Sequence, residues 1–181
     1  MRQGPTPIVL AALLTCGVIV SPDAQARDGD EDKAVAEIQK VGGKVERDEK
    51  AEGKPVTNVN LSITQAADGD LAPLEKLPKL QRLSLNNTKV TDAGLEHLKG
   101  LANLQKLYLV DTKVGDAGLE HLKGLTSLQV LSLAGTQVTD AGLEHLKGLT
   151  NLQALFVFGT KVTDEGVKKL KEALPKLKVD R

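Results

Sequence analysis

Three histidines, His97, His121 and His145, recur 24 residues apart, each preceded by a glutamate (Glu96, Glu120, Glu144) and followed two positions on by a lysine (Lys99, Lys123, Lys147). Imidazoles ligate metals and titrate near neutral pH, so this ladder is where metal or pH chemistry would first be sought. Its spacing argues against both. Ligands must converge on one ion, whereas residues one repeat apart sit on successive helices whose axes pack roughly 8–10 Å apart. Duplicating a unit also duplicates its polar residues, whether or not they act. The Glu–Lys pairs at i,i+3 read as solubilising surface contacts worth about 0.2–0.5 kcal/mol each. No metal site and no cofactor is expected.

Other reactive constellations are missing from the sequence. There is one cysteine and no tryptophan, no Gly-rich phosphate loop follows a strand pattern, and no Ser/His/Asp set departs from the repeat so as to gather three roles at one point. No catalytic residue is expected, and the chain reads as a non-enzyme. The 24 Lys+Arg balance 24 Asp+Glu, interspersed along most of the chain, which argues against the one-signed surface that nucleic acids or anionic membranes require.

At the N-terminus, Arg2, the apolar run Ile8–Val20 and the small-x-small triplet Ala24-Gln25-Ala26 have the form of a secretory leader. Residues 1–26 are therefore expected to be a signal peptide cleaved after Ala26, giving a secreted or periplasmic protein. The run is bounded by Pro7 and Pro22 and falls short of the roughly 17 residues a spanning helix needs, so no integral membrane span is expected after cleavage. Lipidation at Cys16 fits less well, because Thr15 stands where such signals prefer a small residue.

The elements that would position any site follow from the repeat. Val90–Leu101 reads VTDAGLEHLKGL, Val114–Leu125 reads VGDAGLEHLKGL and Val138–Leu149 reads VTDAGLEHLKGL. Between them run LxxLxL-type stretches beginning at Leu80, Leu104, Leu128 and Leu152, and a threonine column (Thr64, Thr88, Thr112, Thr136, Thr160). Leu107-x-Leu109 alternates as a strand does, whereas Leu95, Leu98 and Leu101 recur at three, on one face of a short helix. Asp92 is the expected N-cap and Gly100 the expected stop of that helix. The threonines are expected to bond backbone at the strand-to-helix turn. One such unit buries too little to offset its own ordering entropy, so only a stack of them is stable.

These residues resemble the leucine-rich repeat family, in the variant found in secreted planctomycete-type bacterial proteins and, more loosely, in the cysteine-containing, ribonuclease-inhibitor-like class. The resemblance implies an α/β solenoid, a right-handed β-α superhelix with a parallel concave sheet and short convex helices. It also implies a binding rather than a catalytic role.

A solenoid needs capped ends. Residues 27–58 are expected to form an N-terminal cap, with a helix over Asp32–Val41 stopped by Gly42-Gly43 and then a hairpin. Repeats follow over 59–163, and residues 164–181 form a basic C-terminal capping repeat. In the first convex segment Pro73 occupies the slot that His97 holds later, so irregular structure is expected there.

On the outward strand positions the repeats cease to be copies. The N-terminal half is polar, whereas the C-terminal half carries all three aromatics of the protein, Tyr108, Phe156 and Phe158, among small residues. Aromatics beside small residues can anchor a partner. The candidate binding residues are Tyr108, Val130, Phe156 and Phe158, flanked by Lys106 and Val110, and the expected partner is another protein bound by a monomer. Two alternatives are a structural cell-envelope component that associates through its ends, and a binder of glycan or peptidoglycan fragments.

Overall fold

The computed structural model describes the backbone of residues 22–181 and the side chains of residues 29–181. The expected leader therefore lies outside the described residues, except that residues 22–26 fall in the first helix. That helix, α1 (Pro22–Lys40), is longer than the Asp32–Val41 segment expected. It stops where Gly42 takes φ 87°, with the Gly42 and Gly43 amides returning to the carbonyls of Gln39 and Ile38 at 3.0 and 2.9 Å.

Strands β1 (Lys44–Arg47) and β2 (Val56–Asn60) form an antiparallel hairpin. Next come β3 (Arg82–Ser84), β4 (Lys106–Tyr108), β5 (Val130–Ser132), β6 (Ala154–Phe156) and β7 (Lys178–Asp180). All seven make one sheet in sequence order, parallel from β2 onward. The register repeats the sequence period, since Asn58, Arg82, Lys106, Val130, Ala154 and Lys178 are successive neighbours. At the N-terminal end α1 buries Ala34 and Ile38 against the core. Arg47 clamps the helix to the hairpin through Glu31 at 2.9 Å and Asp32 at 2.6 Å, and Glu31 also accepts the Val56 amide at 2.8 Å.

The convex side is built of short helices: 3-10 segments over Asp68–Lys76 and Asp92–Leu98, α2 (Asp116–Glu120), α3 (Asp140–Leu143) running into a 3-10 turn over Glu144–Leu146, and α4 (Asp164–Ala173). A leucine spacing of three suits a helix of three residues per turn, which aligns Leu95 and Leu98 over the core. The expectation of irregular structure around Pro73 is corrected. The 3-10 helix runs through it and buries Leu71 and Leu74, because the tighter winding suits that same spacing. Strands about 4.8 Å apart, opposed by wider-spaced helices, bend the stack so that the sheet lines its inner, concave side.

Between the layers the leucine columns are sealed, with Leu83, Leu95, Leu98, Leu107, Leu119 and Leu131 all at 0% exposure. Each threonine of the column donates its hydroxyl to the carbonyl three residues back, as in Thr112 to Leu109 at 2.8 Å and Thr136 to Leu133 at 2.6 Å. Their side chains thereby satisfy backbone acceptors where each strand leaves the sheet.

The capping expectation requires correction. Thr91, not Asp92, is the N-cap, and its hydroxyl accepts the Ala93 amide at 3.3 Å. Asp92 instead reaches forward one repeat to accept the Gly115 amide at 2.6 Å. Asp68 does the same for the amide and hydroxyl of Thr91, both at 2.7 Å, and Asp140 for those of Thr163 at 2.7 and 2.6 Å. Glycine two residues after Asp92, Asp116, Asp140 and Asp164 makes room for the aspartate of the previous unit, since a Cβ on Gly94 would stand 2.6 Å from Asp68 Oδ1. The TDAGL signature is thus an inter-repeat clasp. Gly100 is not in the left-handed region and does not stop the helix by that route. The Asp92–Leu98 segment ends in an ordinary right-handed turn at Lys99.

Candidate functional site

The six residues singled out from the sequence are carried on one sheet. Lys106, Tyr108 and Val110 are half-buried on and just after β4, Val130 is half-buried on β5, and Phe156 is half-buried on β6. Phe158, just beyond β6, is 49% exposed. In the register Ser84, Tyr108, Ser132, Phe156 and Asp180 are successive neighbours. Tyr108 and Phe156 are therefore two strand spacings apart, about 9.5 Å. Ser132 between them is 6% exposed, and Ser84 on the other side of Tyr108 is 9% exposed.

Those two serines, although they share the outward strand positions with the rings, are covered: Ser132 lies between Tyr108 and Phe156, and Ser84 lies beside Tyr108 with its hydroxyl 2.6 Å from that of Ser62. Part of each ring's surface is spent on this shading. The next column continues the patch. The amides of Asn87, Asp111 and Gly135 donate to the carbonyls of Val110, Ala134 and Phe158 at 2.8, 2.9 and 2.7 Å, which sets Val110, Ala134 and Phe158 side by side. The structure thus brings Tyr108, Phe156, Phe158 and Val110 around small residues. Lys106 sits one neighbour before Val130 at the polar border.

Sequence reasoning left one residue of this border out of the candidate set. Arg82 on β3 places its guanidinium carbon 5.1 Å from the centroid of the Tyr108 ring, a cation–π contact between diagonal neighbours on adjacent strands. The signal was present, as Arg82 and Tyr108 differ by one repeat plus one strand alternation. Arg82 and Lys106 are themselves direct neighbours in the register. Together with Thr57, Asn58, Gln81 and Gln105 they line a shallow groove. The nearest carboxylate toward the N-terminal edge, Glu46, is two strands from Arg82 and holds Asn58 Nδ2 at 2.8 Å.

On the convex side the first histidine of the ladder meets a glutamate, whereas His121 Nδ1 is buried without a hydrogen-bond partner among the described residues. His97 Nδ1 lies 2.6 Å from Glu75 Oε1. Lys99 and Lys123 hydrogen-bond Glu96 and Glu120 at 3.2 Å and hold both carboxyl groups below their ordinary range, with smaller contributions from the neighbouring histidines. Among the described residues no three His, Cys, Asp or Glu side chains are grouped as metal ligands, and no helix is long and apolar enough to cross a membrane.

Comparisons with known proteins agree with this architecture. A search of the curated proteins finds no match. Among solved structures, the chain is similar to an internalin from Listeria monocytogenes, with 27% identity and a TM-score of 0.53 over 61% of this chain. The chain spans only 30% of that protein's length. It shares its fold with the leucine-rich repeat ectodomain of the receptor kinase SOBIR1 from Arabidopsis thaliana, with 18% identity, a TM-score of 0.52, and coverage of 84% of this chain and 91% of that one. The leucine-rich repeat family model matches residues 76–99, 100–123, 124–147 and 148–171, in the same 24-residue step that the strand register follows. By four contiguous repeats and the solenoid they build, the chain belongs to the leucine-rich repeat family.

Proposed function

We propose that this is a secreted or periplasmic, non-enzymatic protein that binds another protein through its concave sheet. The observation that carries the reading is the contrast between the two faces. The convex helices repeat the same polar residues, whereas the concave positions diverge from strand to strand and gather every aromatic side chain of the protein. Phe158 supports it as well, because a phenylalanine 49% exposed at the edge of a folded array loses apolar contact with water when a partner covers it. Tyr108, Val130, Phe156 and Phe158 form the proposed contact, with Lys106 and Val110 at its border.

The reading is tested by capture from a cell-envelope extract, comparing the natural chain with a Tyr108→Ser, Phe156→Ser, Phe158→Ser variant shown to be folded by circular dichroism. A partner retained by the first and lost by the second supports concave recognition. Equal behaviour of the two overturns it and moves attention to the ends or to a purely structural role.

A further inference from the structure

The polar border of the concave face carries a cationic arrangement that the fold does not require. Arg82 and Lys106 are register neighbours on adjacent strands, and like charges placed so cost stability unless something opposes them. Among the described residues neither side chain is in an ion pair, and Glu46, the carboxylate toward the N-terminal edge, is taken up by Asn58. The guanidinium is nevertheless held in place by its face-on contact with Tyr108 at 5.1 Å. An arginine stacked on an aromatic ring keeps its edge N–H groups available, in a fork that matches a carboxylate bidentately. Gln81 and Gln105 line the same groove and offer further amide donors. Just beyond Lys106 the surface turns apolar at Val130 and continues to Phe156.

We propose that Arg82, oriented by Tyr108 and assisted by Lys106, receives the carboxylate of an aspartate or glutamate in a segment of a partner protein, whose neighbouring apolar side chain lies against Val130 and Phe156. The inference rests on the protein-binding reading above and adds the chemistry of the epitope. From β4 to β6 is about 9.5 Å, and from β3 about 14 Å. An extended segment crossing the strands at about 3.3 Å per residue therefore places its acidic and apolar residues three to four positions apart. A polyuronate glycan would satisfy the cations but would leave the apolar strip uncovered, so the protein segment fits the whole face better.

The test is a selection of random 12-residue peptides displayed on phage against the full folded chain, followed by fluorescence-polarisation titration of the enriched peptides. Enrichment of an Asp or Glu three to four positions from an aliphatic or aromatic residue is expected. Affinity should fall about tenfold or more with Arg82→Gln, and similarly when the peptide's acid is changed to its amide. Lys106→Gln should give a smaller loss, and added salt should weaken binding of the natural chain more than that of the Arg82→Gln variant.

Enriched peptides that lack an acid, or that bind Arg82→Gln equally while losing affinity to Phe156→Ser, overturn the carboxylate subsite and leave concave recognition standing. Peptides indifferent to both variants overturn both. If no peptide is enriched, the inference fails. Arg82-dependent binding of polygalacturonate in that case assigns the cations to an anionic glycan instead.

Discussion

Asp116 accepts both the amide and the hydroxyl of Thr139, at 2.8 and 2.7 Å, across 23 residues of sequence. One carboxylate thus joins two successive turns of the solenoid at the point where each convex helix begins. Replacing it with alanine removes two charge-assisted bonds and leaves a half-buried amide without its acceptor. Asp116→Ala should lower the free energy of unfolding in urea by about 2–3 kcal/mol. A loss below about 0.5 kcal/mol would show that the clasp is incidental to stability.

The clasp is incomplete at one joint. Gly115 stands where Thr91, Thr139 and Thr163 stand in the other repeats, so Asp92 receives an amide but no hydroxyl there. Gly115 has an extended backbone at φ −121°, and a Cβ would lie 3.5 Å from Asp92 Oδ2, an ordinary contact. Gly115→Thr should therefore stabilise the protein by about 1–2 kcal/mol, through a restored hydroxyl bond and a less flexible unfolded chain. An unchanged or lower melting temperature would count against this account of the joint.

The neighbouring glycines should respond in the opposite sense. Alanine is ordinarily the better helix former by about 1 kcal/mol, yet a Cβ at Gly94 would meet Asp68 Oδ1 at 2.6 Å and the Asp68 backbone at 3.2 Å. Gly94→Ala should destabilise by about 1–3 kcal/mol, while Gly69→Ala, where nothing lies within 4 Å, should not. Equal effects at the two sites in parallel urea titrations would refute the close-approach argument.

Ile63 holds φ 60° and is 83% exposed. The corresponding turn positions in later repeats are Asn87, Asp111, Gly135 and Gly159, all in the left-handed region. A β-branched side chain is strained there by about 1–2 kcal/mol. Ile63→Asn should raise stability by about 1 kcal/mol, and a calorimetric melting point that does not rise would contradict it.

The clasp also sets a pH dependence. Hydrogen bonds from the Thr163 side chain and backbone hold the Asp140 carboxyl below its ordinary range. A carboxyl depressed in the folded state contributes stability that is present above its unfolded pKa, about 3.9, and lost as pH falls through the folded value. Asp140→Asn should therefore be less stable than the natural chain near pH 6, with the gap closing toward pH 2.5. A gap that stays constant across that range would remove the assignment.

The sequence by itself determined the solenoid, because a 24-residue period fixes which leucines stack on which, and the alternation around Leu107 and the triplet spacing of Leu95 and Leu98 are local properties of a strand and a tight helix. It also placed Tyr108, Phe156 and Phe158 on the strand face, since period-two alternation separates inside from outside without knowledge of neighbours. The role of Asp92 is not legible in this way. Reading along the chain assigns an aspartate to the helix it begins, whereas its partner lies 23 residues on and becomes adjacent only when the repeats stack. The shading of Ser84 and Ser132, the contact of Arg82 with Tyr108 and the pairing of Arg82 with Lys106 likewise depend on strand register and side-chain direction. Those are decided by tertiary packing, because only the folded sheet brings residues a full repeat apart to within about 5 Å of one another.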